Sequence, residues 1–345
     1  MKYLLGSKQD FKNFVDSITK EDKVGVVTHN DLDGIASLIF LEKILKTKNI
    51  KIKFMNFFTL SPQEFKSLPL KVKKAKLTKV FVLDINLDQY PESFVQLREN
   101  CDCFLIDHHT INPNLNIQDK ILKTTGVDCV AFVFYDLAKD YIDVKEWNWL
   151  VCATMISEYS FKGEEQTNFI KSFYSDFNSE QPSDSEIGRL ADEIDWAIIY
   201  AKDNLEKVYD LVKDKDLESI KKYSKEVEQE GKKWVNEFKE KAEYFQDKNI
   251  YFYHINPKFR MMTNIVNKIS SIFPDNSILV FSNVSNNKNL IKVSARNQNK
   301  KANMVELLAK GIKGLKGAIS GGHIPAAGGS FRKEDFEQFK KNILS

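Results

Sequence analysis

Three short apolar runs, Val24–Val27, Val80–Leu83 and Cys103–Ile106, each followed closely by acids or histidines, limit what this chain can fold into. A run of four apolar residues between polar flanks suits a strand buried on both faces, and such strands belong to parallel sheets covered by helices. Apolar residues at 35, 38, 39, 41, 44 and 45 predict a helix from Ile35 to about Lys46 that covers the sheet on one side. Phe11–Ile18 predicts a short amphipathic helix before the first run, and Ile50–Met55 alternates like a further strand. Strands separated by helical crossovers imply an α/β domain with a parallel sheet, and ligands of such sheets sit beyond the carboxyl ends of the strands.

That rule gives the run ends a chemical meaning. His29, Asp31 and Asp33 crowd the first end in VGVVTHNDLDGIAS, Asp84 closes the second in VLDINLD, and Asp107, His108 and His109 close the third. One imidazole and two carboxylates at alternating positions suit a divalent transition ion such as Mn²⁺. A lone acidic loop after a strand is ordinary solvated surface. Three on one predicted rim read as a metal site.

With 345 residues the chain is longer than a typical single core, so two domains are expected. Apolar content of 42% and charged content of 29% exclude disordered and fibrous classes. No stretch approaches the roughly 20 apolar residues of a membrane span, and Met1–Lys20 has no cationic leader with an apolar core, so the expectation is a cytoplasmic protein with no membrane partner. Cys101, Cys103, Cys129 and Cys152 lack paired zinc spacing and read as reduced core residues. A net charge of +3 argues against a surface coated in nucleic-acid contacts.

Further along, Val127–Tyr141 and Glu146–Met155 read as helices, with Trp147 and Trp149 packing rather than binding. Lys162–Ser185 reads as a polar, loop-rich stretch and Ile187–Val212 as helical. Asp214–Gln246, rich in Lys, Glu and Asp, reads as a long exposed helix joining two bodies. The expected domains are therefore residues 1–212, a helical linker at 213–248, and a smaller mixed α/β domain at 249–345. In that last body, strands are expected at Ile250–His254, Ile278–Val284 and Leu290–Ala295, the last two joined by a hairpin loop at Ser-Asn-Asn-Lys-Asn, residues 285–289. Helices are expected at Thr263–Phe273, Met304–Ile312 and Glu334–Ile343, with the glycine-rich SGGHIPAAGGSF before the last.

In this order and at these separations, THNDLDG, VLDINLD, LIDHHT and ISGGHIPAAGGSF resemble the DHH phosphoesterases that carry a DHHA1 domain, over roughly residues 20 to 335 and most weakly over 156–250. That superfamily includes RecJ-type exonucleases, nanoRNases that also act on pAp, and cyclic-dinucleotide phosphodiesterases. The resemblance implies that His29, Asp31 and Asp84 hold one Mn²⁺, and that Asp33, Asp84 and His108 hold a second, with Asp84 bridging; Mg²⁺ is an admissible substitute. It further implies that Asp107 orients the site and that His109 faces the phosphate. Two neighbouring ions can share a water, lower its pKa and clamp the attacking and leaving oxygens of an in-line displacement at phosphorus.

In the second body the resemblance assigns substrate binding to Arg296 and Ser294 of VSARN and to Gly321, Gly322 and His323 of a glycine-rich loop. Glycines let backbone amides approach a phosphate, and an arginine fork can bind it bidentately. Eight basic residues stand between Lys288 and Lys316 against the single acid Glu306, a local net of +7 that surrounds this segment and favours a nucleotide or single-stranded nucleic acid as guest. The chain departs from the family at a fourth acidic motif. Its counterpart is CATMISEYS, Cys152–Ser160, where the aspartate position falls on Ser157 with Glu158 adjacent. Either Glu158 reaches the second ion with its longer side chain, or that ion has fewer protein ligands and binds weakly.

The resulting expectation is a Mn²⁺-dependent phosphoesterase of short oligonucleotides or nucleotides, with its site in a cleft between the domains and a homodimer left open. No module beyond the two is left over to grip a long strand, which favours small substrates. A RecJ-like single-strand exonuclease and a weakly active scaffold of a replication or repair assembly are the alternatives.

Overall fold

A computed structural model describes residues 1–114, 120–202, 204–284 and 287–345, with Lys288 described through its backbone alone. It divides into two compact units, Met1–Ser224 and Lys225–Ser345.

In the first unit, β1 (Tyr3–Leu5), β2 (Val24–His29), β3 (Ile52–Phe58), β4 (Lys79–Leu83), β5 (Asp102–Asp107) and β6 (Ile121–Thr124) form one sheet in the order β1-β6-β5-β4-β2-β3. Neighbours from β3 through β6 pair parallel, and β1 adds to the edge antiparallel. The parallel sheet is the expected one. The two strands beyond the β5 edge were not foreseen, because three or four residues are too few to show a period. From β2 the chain moves outward to β3, then returns to β4 on the other side of β2 and continues away. The strand order therefore reverses between β2 and β4, and a crevice opens at the carboxyl ends of those two strands.

Side chains alternate across the sheet, so each apolar run feeds two cores. Helices α1 (Lys8–Asp16) and α2 (Leu32–Thr47) share a core with Val24, Val26, Phe81, Leu83, Phe104 and Ile106. Helices α3 (Pro62–Ala75) and α4 (Pro91–Asn100) pack with Val27, Val80, Val82, Cys103 and Leu105 on the other face. All four cysteines are free and buried. The stripe on α2 was expected to be one-sided, yet every residue from Leu32 to Leu41 is buried. Its second side is covered by α5 (Val130–Ala138), α6 (Asn148–Ser157) and α8 (Glu186–Ala201), which follow later in the chain. Truncating a residue such as Leu38 in this layer should cost about 2–5 kcal/mol.

Two local expectations are corrected. The polar stretch 162–185 contains a helix, α7 (Glu164–Phe173), hidden by a thin buried face of Gln166 and Ile170. Ile187–Val212 is helical as expected, in two pieces, α8 and α9 (Leu205–Lys213). Residues 214–246 hold α10 (Leu217–Asn236), the short α11 (Phe238–Lys241) and the strand β7 (Glu243–Phe245), with Ile220, Val227 and Phe238 buried, so this segment is neither one helix nor wholly exposed. Trp147 and Trp149 are core residues, as expected.

The second unit has β7, β8 (Ile250–Ile255), β9 (Ser277–Val284), β10 (Asn287–Arg296), β11 (Ile319–His323) and β12 (Ala326–Arg332) in the order β11-β12-β10-β9-β8-β7. Only β8 and β9 pair parallel, which makes the sheet mixed. Helices α12 (Met262–Ile272), α13 (Met304–Gly311) and α14 (Phe336–Leu344) match the expected positions closely. Of the expected hairpin loop between β9 and β10, Ser285 and Asn286 lie outside the described residues. The glycine-rich segment is not a loop. Gly321 pairs with Gly328 and Gly322 with Ala327, so its glycines belong to two antiparallel strands. Among the described residues no helix is long and apolar enough to cross a membrane.

Candidate functional site

The reversal of strand order gathers the three motifs at one place. His29 ends β2, and Asp31 caps α2 by accepting a hydrogen bond from the Gly34 N–H at 3.0 Å. Gly34 is required there, since a Cβ would collide with the carbonyl oxygen of His29. Asp84 follows β4 in a left-handed backbone conformation, φ +54°, and its N–H donates to the Ile106 carbonyl on β5 at 2.9 Å. A left-handed aspartate is tolerated but strained, and strain of this kind collects at functional sites.

Asp84 is the hub. His29 Nδ1 pairs with Asp31 and stands 3.3 Å from Asp84 Oδ2, while His108 Nε2 and His109 Nδ1 stand 3.4 and 4.0 Å from Asp84 Oδ1. Two groups of potential ligand atoms result, His29–Asp31–Asp84 and Asp84–His108–His109, each with all its atoms within 4.8 Å of one another. Bonds of about 2.1 to 2.4 Å from a single ion to oxygen ligands would draw atoms together at such spacings. Asp84 Oδ1 and His108 Nδ1 are buried without a hydrogen-bond partner. Nitrogen and carboxylate donors converging on an unsatisfied buried oxygen fit a divalent transition ion.

The electrostatics point the same way. Burial disfavours a charge on Asp84, but the His108 and His29 imidazoles outweigh it and hold its carboxyl far below the usual range. Burial would lower His29 and His108 too, yet the surrounding carboxylates push them up to about 11 and about 9. Burial, reinforced by the Asp84 charge, raises Asp33. Acids this crowded need positive charge beside them, from protons or from a cation.

Asp33 stands apart from the two ligand groups. Its oxygens accept the N–H groups of Val130 and Ala131, at 2.8 and 2.6 Å, at the start of α5. His109, expected to face the phosphate, takes the place in the second group that was expected for Asp33. Glu158 closes α6 with no hydrogen-bond partner for its side chain among the described residues. Burial, then Asp31, Asp33, Asp84 and Asp195, push its carboxyl well up, which puts it within electrostatic reach of the centre.

Asp107 belongs to neither ligand group. One oxygen accepts from His109 Nδ1 at 2.7 Å, and the other lies 2.9 Å from Lys123 Nζ, close enough for an ion pair but off the angle of a hydrogen bond. Lys123 is wholly buried and also reaches Asp88 at 2.7 Å and the carbonyls of His109 and Thr110, each at 3.3 Å. Asp88 in turn accepts the Asn112 N–H at 2.9 Å. This network holds the loop after β5 and was missed in the sequence. A lysine inside the apolar ILKT is its visible signal, because lysine is almost never fully buried unless paired.

The second unit carries a groove of about 610 Å³ across β10, β11 and β12. Lys292, Ser294 and Arg296 alternate along β10 and line it, with Gly321 and Gly328 among the neighbours on β11 and β12. Arg296 is oriented by Asn267 Oδ1, which accepts from Nε at 2.8 Å, and by its own neighbour's carbonyl, Ala295 O, at 2.9 Å. No atom lies within 4 Å of the place a Cβ on Gly321 would take, so the glycine leaves open space. Gly322 and His323 do not line the groove. At Gly322, φ is +143° and a Cβ would come within 2.6 Å of Ala327 Cα, so this glycine answers to the backbone. The basic run is not one patch: Lys292 and Arg296 line the groove, whereas Lys301 pairs with Asp275 and Lys310 bonds the Ile343 carbonyl.

Known families match both units. Residues 23–157 match the DHH family N-terminal domain and residues 246–345 match the DHHA1 domain. The chain belongs to the DHH/DHHA1 phosphoesterase superfamily. Its DHH and DHHA1 domains together resemble a crystal structure of exonuclease RecJ bound to manganese, with a TM-score of 0.70 and 13% identity over 99% of this chain and 94% of that one. RecJ from Thermus thermophilus in complex with Mn²⁺ gives 0.67 and 13% over 98% of this chain, which spans 54% of that protein. An exopolyphosphatase-related protein from Bacteroides fragilis gives 0.54 and 15% over 100% and 97%. At such identities the likenesses establish the DHH–DHHA1 fold. No curated protein sequence matches the chain.

Proposed function

We propose that this protein is a Mn²⁺-dependent phosphoesterase acting on short single-stranded oligonucleotides or nucleotides. The observation that carries the reading is Asp84, a strained, buried carboxylate at the strand-order reversal, shared between two groups of ligand atoms with one oxygen unsatisfied. His29, Asp31 and Asp84 would hold one ion, and Asp84, His108 and His109 a second, with Asp33 and Glu158 adding negative charge. When bound, such ions polarise phosphoryl oxygens and make a water acidic enough to attack at neutral pH.

The chain's own residues do the rest. Burial raises the Asp107 carboxyl, but His109 and Lys123 overcome this and keep it ionised, so His109 carries a proton on Nδ1 toward it. The half-exposed ring thereby has a fixed tautomer, which leaves a lone pair on Nε2 as the one that can ligate an ion. In the DHHA1 domain, Arg296 is held in place by Asn267 and supplies a charge-assisted contact to a phosphate group, while the missing side chain at Gly321 gives a nucleotide room. A guanidinium binding a phosphate distant from the scissile bond raises affinity without favouring the transition state.

The test is Mn²⁺-dependent turnover by the full chain across pAp, cyclic dinucleotides, RNA dinucleotides and longer single strands. Hydrolysis of pAp or dinucleotides in preference to long strands is expected. Absence of hydrolysis across the panel would sink the reading, and preferential degradation of long strands would replace it with a RecJ-like one.

A further inference from the structure

A second concentration of basic charge lies away from the acids. Between Lys43 and Lys79 stand eleven lysines against the single acid Glu64, a local net of +10 in a chain whose total is +3, so the remaining residues are together net −7. The topology gathers these lysines. Helices that join parallel strands run back against them, so the ends of α2 and α3 and the starts of β3 and β4 all lie at the amino edge of the DHH-domain sheet, opposite His29 and Asp84. Val24, at the start of β2, pairs with Ile52 on one side and Lys79 on the other, which fixes that row. Helix α2 packs on one face of the sheet, α3 on the other, and β3 is the sheet's edge. Lys46 at the end of α2, Lys51 and Lys53 at the start of β3, and Lys73, Lys74 and Lys76 at the end of α3 therefore form a band around one corner of the domain. A helix is about 10 Å across, so a band from one helix past the sheet to the other is about 20 Å long.

All six side chains are exposed, and among the described residues none of them pairs with an acid. The nearby acids have other partners: Asp16 pairs with Lys48, Glu64 with Lys71, and Asp102 with Lys79 and Lys120. The turn 20–23 and the end of α4 (Arg98, Glu99) add no net charge. Ordinary roles cover part of the band, since lysines in a last helical turn meet the negative end of the dipole and a lysine on an edge strand deters sheet pairing. They do not cover Lys51, which precedes its strand, or Lys76, which takes the left-handed cap of α3 at φ +54°, where glycine or asparagine costs least.

We propose that this band is a docking surface for the phosphate backbone of a nucleic acid longer than the substrate, recognised by charge and not by sequence. Lysine is a hydrated point charge that meets phosphates without a fixed geometry, and each phosphate it neutralises releases counterions. A protein partner would require apolar surface and fewer lysines, and a membrane would require apolar anchors. Among the described residues of this stretch, Leu70 is the one large apolar side chain that is exposed. Strand β2 has six residues rising about 3.3 Å each, which puts the band roughly 20 Å from the ligand groups, so a strand docks here without touching them. The inference stands apart from the metal reading of the centre.

The experiment is fluorescence anisotropy of the full chain in EDTA, with labelled DNA of about 24 nucleotides as single strand and as duplex, between about 50 and 200 mM salt. Contacts from all six lysines should cost the duplex about 10³-fold in affinity across that range, whatever its sequence, and the tighter of the two DNAs identifies the form that docks. The triple variant Lys73→Gln, Lys74→Gln, Lys76→Gln and the triple variant Lys46→Gln, Lys51→Gln, Lys53→Gln should each weaken binding at least about 10-fold and flatten the slope of log K against log[salt] by about 2 to 3. No binding by the parent at low salt, affinity unaltered in both triple variants, or equal affinity for polyglutamate or for phosphatidylserine vesicles would overturn the inference. A fall in Tm with unaltered affinity would return the lysines to the stability of helix and strand ends and overturn it as well. Because the assay needs neither Mn²⁺ nor turnover, failure of the phosphoesterase reading would leave its result unchanged.

Discussion

Lys123→Met removes the buried lysine cation of a network that has no solvent to fall back on. Neither the lysine side chain nor those of Asp88 and Asp107 have any exposed surface, and Nζ stands 2.7 and 2.9 Å from their carboxylates. Methionine keeps most of the stem's packing, so the loss is electrostatic: two buried acids lose their cation, and Asp88 and two carbonyls lose a hydrogen-bond donor. Removing one partner of a buried ion pair costs roughly 3–5 kcal/mol, and about 4 kcal/mol is expected here. For a domain of some 150–250 residues each kcal/mol moves Tm by about 2–4 °C, which gives a fall of about 8–16 °C for the DHH-domain transition in differential scanning calorimetry. Adding Asp88→Asn should return part of the loss, because an amide leaves no uncompensated charge. Since Asp107 orients His109, Mn²⁺ affinity should fall alongside stability, by about 10- to 100-fold. A Tm drop below about 2 °C, or a double variant no better than the single one, would show that water or a rearranged loop replaces the lysine and that the network is not the clamp described.

Asp84→Asn should fold, because asparagine tolerates the left-handed backbone, and should lose more than about nine-tenths of Mn²⁺-dependent hydrolysis; retention of more than that tenth in a turnover assay would contradict a shared ligand. Arg296→Ala should raise KM roughly 10- to 100-fold with a smaller loss of kcat, because a hydrogen bond to a charged group contributes about 1.5–3 kcal/mol. An unchanged KM with a collapsed kcat in steady-state kinetics would place Arg296 in the chemical step. Gly321→Val should leave the unfolding transition in place, as there is space for the side chain, and weaken nucleotide binding in calorimetry; unaltered binding would remove the groove from the substrate path.

The rim of the parallel sheet could be read in the chain because each strand is buried on both faces and stops where its side chains turn polar. The same logic fails where the signal is shared between distant segments. Lys123 and Asp88 are 35 residues apart, and nothing local tells a buried lysine which acid will answer it. Asp195 lies in a helix whose periodicity shows a buried face but not that Ser157, 38 residues earlier, waits across it. The glycines at 321–329 read as a loop because glycine is a poor strand former, yet here pairing along both edges of β12 outweighs that local preference. Asp33 shares the motif of Asp31 two residues away, but one caps its own helix and the other caps α5, a distinction that only the packing of α5 against α2 creates.

Gly34 separates what the first motif does for folding from what it does for chemistry. The acids beside it crowd one another, whereas the glycine allows α2 to begin hard against the end of β2 and so seats a helix buried on nearly every side. The two demands can be lost independently. A chain that replaced Asp31 and Asp84 with neutral residues would shed mutual repulsion and keep its architecture, while one that replaced Gly34 would have to shift the helix carrying Asp31 and Asp33 and part of the core with it. A chain of this fold with a purely binding role would therefore be free to discard its acids but not this glycine, so the glycine testifies to the shape of the rim and says nothing about whether the rim does chemistry.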